Sequence, residues 1–161
     1  MAFTNSGGIR DNLYFVSSGP DSDGEVTFGE AFSVQPFGNN LVTMTLTGAQ
    51  IHTLLEQQWE GQGDSILQVS DGFSYEWSAS AADGARVDPT TIFINGVEVD
   101  PLTTYRVTVH NFLADGGGKF SVLLEGTNRL DGEIDVDALA TYFELNSPVA
   151  PGPQDRITML P

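Results

Sequence analysis

At 161 residues, with 40% hydrophobic and 10% aromatic side chains, the chain is long enough to bury one good core and too apolar to be disordered. Its 22 acidic against 6 basic residues leave a formal net charge of -16, which opposes binding to nucleic acid and to anionic membrane surfaces. There is no cysteine, which excludes a disulfide framework and thiolate metal sites, and no apolar run approaches transmembrane length.

In chain order, Phe3 to Asn5 is expected to end a strand that feeds the Gly7-Gly8 turn, where missing Cβ atoms let backbone N–H groups approach a ligand. This ligand-like stretch begins almost without a lead-in, so a preceding neighbour is expected in the natural protein. Ser17 to Gly24 reads as a polar, acidic loop. Thr27 and Glu30 have capping-box spacing and Phe28, Ala31 and Phe32 share a face, which predicts a short helix from Phe28 to Val34 stopped by Pro36. Leu41 to Leu46 alternates with the period of a strand. Thr47 and Gln50 form a second capping box, and Ile51, Leu54, Leu55 and Trp59 form a helical stripe that ends at Gly61 and Gly63.

Leu67 to Val69 and Phe73 to Trp77 are expected as short strands around Asp71-Gly72. Asn95-Gly96 between Ile92–Ile94 and Val97–Val99 is a hairpin signal. Tyr105, Val107 and Val109 alternate with Arg106, Thr108 and His110 in a strand that delivers the chain into a loop at Asn111-Phe112. Asp135 is expected to cap a final helix carrying Val136, Leu139, Ala140 and Phe143, with a last strand at Arg156 to Met159. A hairpin, mixed elements and no steady βα alternation indicate an α+β fold, one domain over 1–161 with a mixed β-sheet and packed helices.

The inventory for catalysis is thin. His52 reads as a boundary residue of its helix, and His110 has no second metal ligand beside it in sequence. The carboxylates at Asp21, Asp23 and Glu25, and at Asp131, Glu133, Asp135 and Asp137, miss the spacing of a calcium loop. No catalytic residue and no metal ligand is assigned. Ligand binding is better supplied. Phe37, beside Asn39, and Phe112, beside Asn111, occupy glycine-bearing loops and could sandwich a flat ring. Asn5 can donate and accept toward a base edge, and Arg10 can grip a phosphate or a ribose hydroxyl.

The blocks Phe3 to Arg10, Pro36-Phe37-Gly38-Asn39, Leu46 to Ile51, Leu67 to Ser70, Tyr105 to Thr108 and Asn111 to Gly117 occur in a familiar order. So do Asp135 to Leu139, Asn146-Ser147-Pro148 and Asp155 to Thr158. Across nearly its whole length the chain resembles the C-terminal domain of the 5′-nucleotidase family, which includes periplasmic UDP-sugar hydrolases and animal ecto-5′-nucleotidases. The resemblance implies a nucleotide- or nucleoside-binding domain of a phosphoric monoester hydrolase that acts in nucleotide catabolism. It also implies a covalently linked N-terminal metallophosphatase domain, absent from this chain, which carries two divalent metal ions and the catalytic residues. The isolated chain is therefore expected to bind no cofactor and to be inactive alone. The setting implied is extracellular, periplasmic or at the cell surface, without direct membrane insertion.

By the same resemblance, Phe37 and Phe112 stack on the base, Asn5 contacts it, Arg10 contacts ribose or phosphate, and Gly7, Gly8 and Asn39 complete the substrate-binding set. Where the family carries an aspartate that holds the ribose hydroxyls, Gly116-Gly117-Gly118-Lys119-Phe120 places Gly118. Asp115 is the nearest carboxylate for that role, and Lys119 adds a positive charge suited to phosphate. The alternatives are a free-standing nucleotide-binding module and an acidic structural domain without activity.

Overall fold

A computed structural model describes residues 1–17, 19–61 and 63–161. The strands are β1 (Phe3–Asn5), β2 (Asn40–Thr47), β3 (Leu67–Val69), β4 (Phe73–Ser78), β5 (Phe93–Ile94), β6 (Val97–Glu98), β7 (Thr104–His110), β8 (Thr127–Ile134) and β9 (Ile157–Leu160). The α-helices are α1 (Phe28–Val34), α2 (Gly48–Glu56), α3 (Asn111–Ala114) and α4 (Asp135–Asn146). They make an α+β fold with three small sheets, ordered β1-β3, β7-β2-β8 and β6-β5-β4-β9. Among the described residues no helix is long and apolar enough to cross a membrane.

The central strand β2 shows why the sheet forms. Val42, Met44 and Leu46 are buried on one side, and the intervening threonines lie at the boundary. Each such fully buried apolar side chain contributes about 1.5–3 kcal/mol. β2 pairs antiparallel with β7, so that Val42, Met44 and Leu46 lie opposite Val109, Val107 and Tyr105. Both expected capping boxes are present. Thr27 and Glu30 close the start of α1, and Thr47 and Gln50 close that of α2, each satisfying backbone N–H groups that a helix leaves orphaned. From α2, Ile51, Leu54 and Leu55 enter the core, and Trp59 follows on a 3-10 turn.

Leu67–Val69 and Phe73–Ser78 are strands as expected: β3 pairs with β1, whereas β4 pairs with β5 and, in parallel, with β9. The structure departs from the sequence expectations in three places. The residues after His110 are not a loop but a four-residue helix. Asp135 lies inside α4 rather than at its cap, which is Ile134, and its Oδ1 accepts from the Val136 N–H. Finally, β8 has no counterpart in the sequence reading, because all eight of its residues are exposed and give no apolar alternation. It is held by backbone pairing to β2. The Ser17 to Gly24 loop is as expected in its described part, and Ser18 lies outside the described residues.

Candidate functional site

The expected ligand residues come from chain segments that backbone hydrogen bonds tie together. After β1, a 3-10 turn at Ser6–Gly8 leads to Arg10, whose N–H donates to the Val34 carbonyl at the end of α1 (2.9 Å). This fixes Arg10 beside the Pro36–Asn39 turn. Its guanidinium carbon lies 5.6 Å from the centroid of the Phe37 ring, and Nη1 donates to the Gly7 carbonyl at 3.3 Å. A cation over an aromatic face is attracted by the ring quadrupole, so Arg10 and Phe37 present a joint surface that is both flat and positive.

That turn is pinned in turn to the segments carrying Phe112. The Asn40 N–H donates to Asn111 Oδ1 at the start of α3 (3.1 Å), and the Asp135 N–H donates to the Asn39 carbonyl (2.8 Å). Asn39 Nδ2 also reaches Asp135 Oδ2 at 3.3 Å. Both phenylalanines stand clear of the core, with Phe37 at 55% and Phe112 at 49% exposure. Exposed aromatic rings on two neighbouring, braced turns are suited to stacking on a planar ligand.

Behind Phe112 lies His110, its ring 6.0 Å away and within 26° of parallel. His110 is buried, and its Nε2 is 2.9 Å from Asn5 Oδ1. With Oδ1 facing the ring, and a carboxamide oxygen able only to accept, this contact is a hydrogen bond in the tautomer that carries its proton on Nε2. Contacts thus run from Phe37 through Arg10 to Gly7, and from Asn5, two residues earlier in the same segment, through His110 to Phe112. Gly8 lies under this path, since a Cβ on it would sit 3.1 Å from Asn5 Oδ1. Gly117 is required to be small for a similar reason: a Cβ there would collide with the Phe112 carbonyl and meet the Phe112 ring at 2.7 Å. The glycine run therefore seats Phe112.

Two expected residues do not join this path. Asp115 is paired with Arg129 Nη1 at 2.6 Å, and Arg129 also meets Asp131 at 3.3 Å. The Asp115 hydrogen bond is the main reason the Arg129 guanidinium is held above its ordinary value, with Asp131 adding to it. Lys119 Nζ donates to the Gly63 carbonyl at 2.7 Å. Gly118 adopts φ +61, in the left-handed region, and a Cβ on it would meet nothing closer than 3.5 Å.

Sequence reasoning weighed His110 only as a metal ligand and so missed its contact with Asn5. The strand parity of β7 groups His110 with Arg106 and Thr108, the polar side. Of these, Arg106 is exposed and only His110 is buried, where Asn5 of the N-terminal segment meets its ring. A cleft of about 280 Å³ opens beside it, lined by Gly8, Gln35, Asn39, Thr108, His110 and Asp135. Burial pushes the His110 imidazole below its ordinary value, and the nearby Asp135 carboxylate opposes that shift. His52, the other histidine, donates from Nε2 to the Val87 carbonyl at 2.9 Å, a structural tie. Among the described residues no three His, Cys, Asp or Glu side chains are grouped to hold a metal ion.

Comparison with known proteins gives this arrangement a family. The 5′-nucleotidase, C-terminal domain, family model matches residues 1–125. The trifunctional nucleotide phosphoesterase protein YfkN of Bacillus subtilis (strain 168) is 36% identical over 165 residues, covering 98% of this chain and 11% of that protein. The cell wall protein Lmo0130 of Listeria monocytogenes (strain EGD-e) is 35% identical over 145 residues, covering 89% of this chain and 18% of that protein. The crystal structure of a 5′-nucleotidase precursor from Thermus thermophilus superposes with a TM-score of 0.80 at 37% identity, covering 99% of this chain and 31% of that one. The chain thus spans less than a third of the length of each of these relatives. With the family model covering more than half of its residues, the chain belongs to the 5′-nucleotidase C-terminal domain family.

Proposed function

We propose that the chain is the nucleotide- or nucleoside-binding domain of a metal-dependent 5′-nucleotidase-type phosphoesterase. The observation that carries this reading is the pair of exposed rings, Phe37 beside Arg10 and Phe112 beside His110, which meets Asn5. Such rings take a base between them by stacking, worth about 1–3 kcal/mol per base. Asn5 Nδ2 supplies a donor to the base edge, and the Arg10 guanidinium supplies charge for a phosphate or hydroxyl oxygen in a chain whose net charge is -16.

In this reading 1–161 is a single substrate domain. A covalently linked metallophosphatase domain holds the divalent metal ions and breaks the phosphate ester. Water activation by metal is that domain's chemistry, and this chain's part is to hold the nucleotide so that its phosphate faces the metals. The names of its relatives, a nucleotide phosphoesterase and a cell wall protein among them, favour a hydrolase with a setting outside the cytoplasm.

The test uses this chain joined to its metallophosphatase domain. Phe37→Ala should raise the KM for a nucleotide by about tenfold or more, the worth of one stacked ring, and leave the KM for a simple aryl phosphate nearly unchanged. Equal effects on both substrates would sink the reading. A second reading, an acidic structural domain that keeps the fold but has lost ligand binding, is favoured by Gly118 and by the Asp115–Arg129 pair. It predicts no difference between the two substrates.

A further inference from the structure

We propose that His110 is a positioning residue that fixes the donor and acceptor ends of the Asn5 carboxamide and backs the Phe112 ring, so that one buried side chain sets both the polar and the stacking contact to the base. The inference rests on the nucleoside-binding reading and adds to it a determinant of base selectivity.

An asparagine presents two chemically opposite ends, an oxygen that accepts and an NH₂ that donates, and an unrestrained amide can rotate to offer either. Asn5 is restrained. Its Oδ1 lies 2.9 Å from His110 Nε2, which turns Nδ2 toward Gly7, where a Cβ would lie 3.3 Å from it. Glycine at positions 7 and 8 keeps this arrangement uncrowded, since a Cβ on Gly8 would lie 3.1 Å from Oδ1 and 3.5 Å from His110 Nε2.

The histidine cannot readily turn over. It is 8% exposed, its ring lies near-parallel to Phe112, and Nδ1 has no hydrogen-bond partner among the described residues. Of the charged groups on the elements around it, Asp135 at the start of α4 is the one that acts on it. The Asp135 carboxylate is itself occupied by the Val136 N–H and by Asn39 Nδ2. β1 and β2, which flank β7, carry no titratable side chain. Asn5 is therefore held as a donor to the ligand, which selects a base edge carrying an acceptor.

Nitrogen NMR of the histidine rings in the whole chain tests the geometry without any substitution. A neutral His110 protonated at Nε2 is expected; a proton on Nδ1 would reverse the Asn5 amide and overturn the proposal. Calorimetry with adenosine as the probe tests the consequence. His110→Phe keeps a flat ring behind Phe112 but loses the donor, and should weaken adenosine binding about five- to tenfold. His110→Gln retains an N–H within reach of Asn5 Oδ1 but no ring behind Phe112, and should recover part of that loss, provided thermal melts show both variants folded. Unchanged affinity in His110→Phe, or equal loss in both variants, overturns the role of His110 while leaving the nucleoside reading standing. No saturable heat from the unaltered chain would overturn the nucleoside reading and this inference together.

Discussion

The buried Gln58 side chain has its polar atoms paired within the chain, whereas buried His110 pairs one ring nitrogen and leaves the other open. Gln58 is fully buried; its Nε2 donates to the Leu55 carbonyl, and its Oε1 accepts from the Leu67 N–H at 2.7 Å and from the Tyr75 hydroxyl at 3.0 Å. That one side chain ties α2 to β3 and β4. At the other region, His110 Nδ1 and Gln35 Oε1 find no hydrogen-bond partner among the described residues, and two phenylalanines stand half exposed beside them. Buried polar groups are ordinarily paired because an orphan costs about 1–3 kcal/mol. Orphaned atoms also occur beside Gln58, at Glu56 Oε2 and Trp59 Nε1, so the contrast lies in the surface: the Gln58 network is closed over by the core, whereas the His110 region carries two half-exposed rings.

Gln58 is where a substitution should tell most. Gln58→Leu removes the shared acceptor and orphans both the Leu67 N–H and the Tyr75 hydroxyl, so it should destabilise the fold by about 2–6 kcal/mol. Urea unfolding is the measurement, and a loss under about 1 kcal/mol would show that the network is not a stabilising centre. The same network predicts an alkaline limit. Burial pushes the Tyr75 hydroxyl up to about 12 from 10.0. The unfolded chain then releases this proton first, so the stability it contributes is complete below pH 10 and is lost as pH rises through about 12.

Phe37→Ala and Phe112→Ala should show the opposite signature. Each is expected to weaken nucleoside binding by about 1–3 kcal/mol, with little change in melting temperature because neither ring is buried. A large drop in melting temperature with unchanged binding would return these rings to the scaffold.

Gly118→Asp should add a contact for a ligand bound at the open region. The position has room for a side chain, and aspartate is among the residues that tolerate its left-handed φ, at a cost of about 1–2 kcal/mol. Adenosine binding should tighten several-fold, and binding of a dideoxyadenosine lacking both ribose hydroxyls should not. Equal gains for the two ligands would contradict a ribose contact.

The smallest effect is in pH. Because burial depresses the His110 pKa, the unfolded chain takes up the proton first as the solution is acidified. The stability contributed by the neutral ring is complete above about pH 6.5 and is lost as pH falls through the lowered folded value. The fall in the urea midpoint between pH 7 and pH 5 should be shallower in His110→Gln. An identical fall in both proteins would place the titration elsewhere.

Much of the scaffold is legible in the chain itself, because its signals are local. Thr27 with Glu30 and Thr47 with Gln50 announce two helices over four residues each, and β2 announces its buried side by alternation. β8 is not legible: Thr127 to Ile134 has no buried face, and only its pairing with β2 makes it a strand. The site divides the same way. Phe37, Phe112 and Arg10 are visible as residue types in glycine-bearing turns. The pairing of Asn5 with His110 spans 105 positions, and that of Asp115 with Arg129 joins separate elements, so neither leaves a mark in local sequence.

Whether Phe37 and Phe112 hold a nucleoside between them is decided by calorimetric titration of adenosine into the chain and into the Phe37→Ala, Phe112→Ala double variant. Saturable heat is expected from the unaltered chain, together with its loss in a double variant that melts at nearly the same temperature. No saturable heat at roughly millimolar adenosine, a concentration that detects binding as weak as about 4 kcal/mol, or equal binding by both proteins, would contradict it.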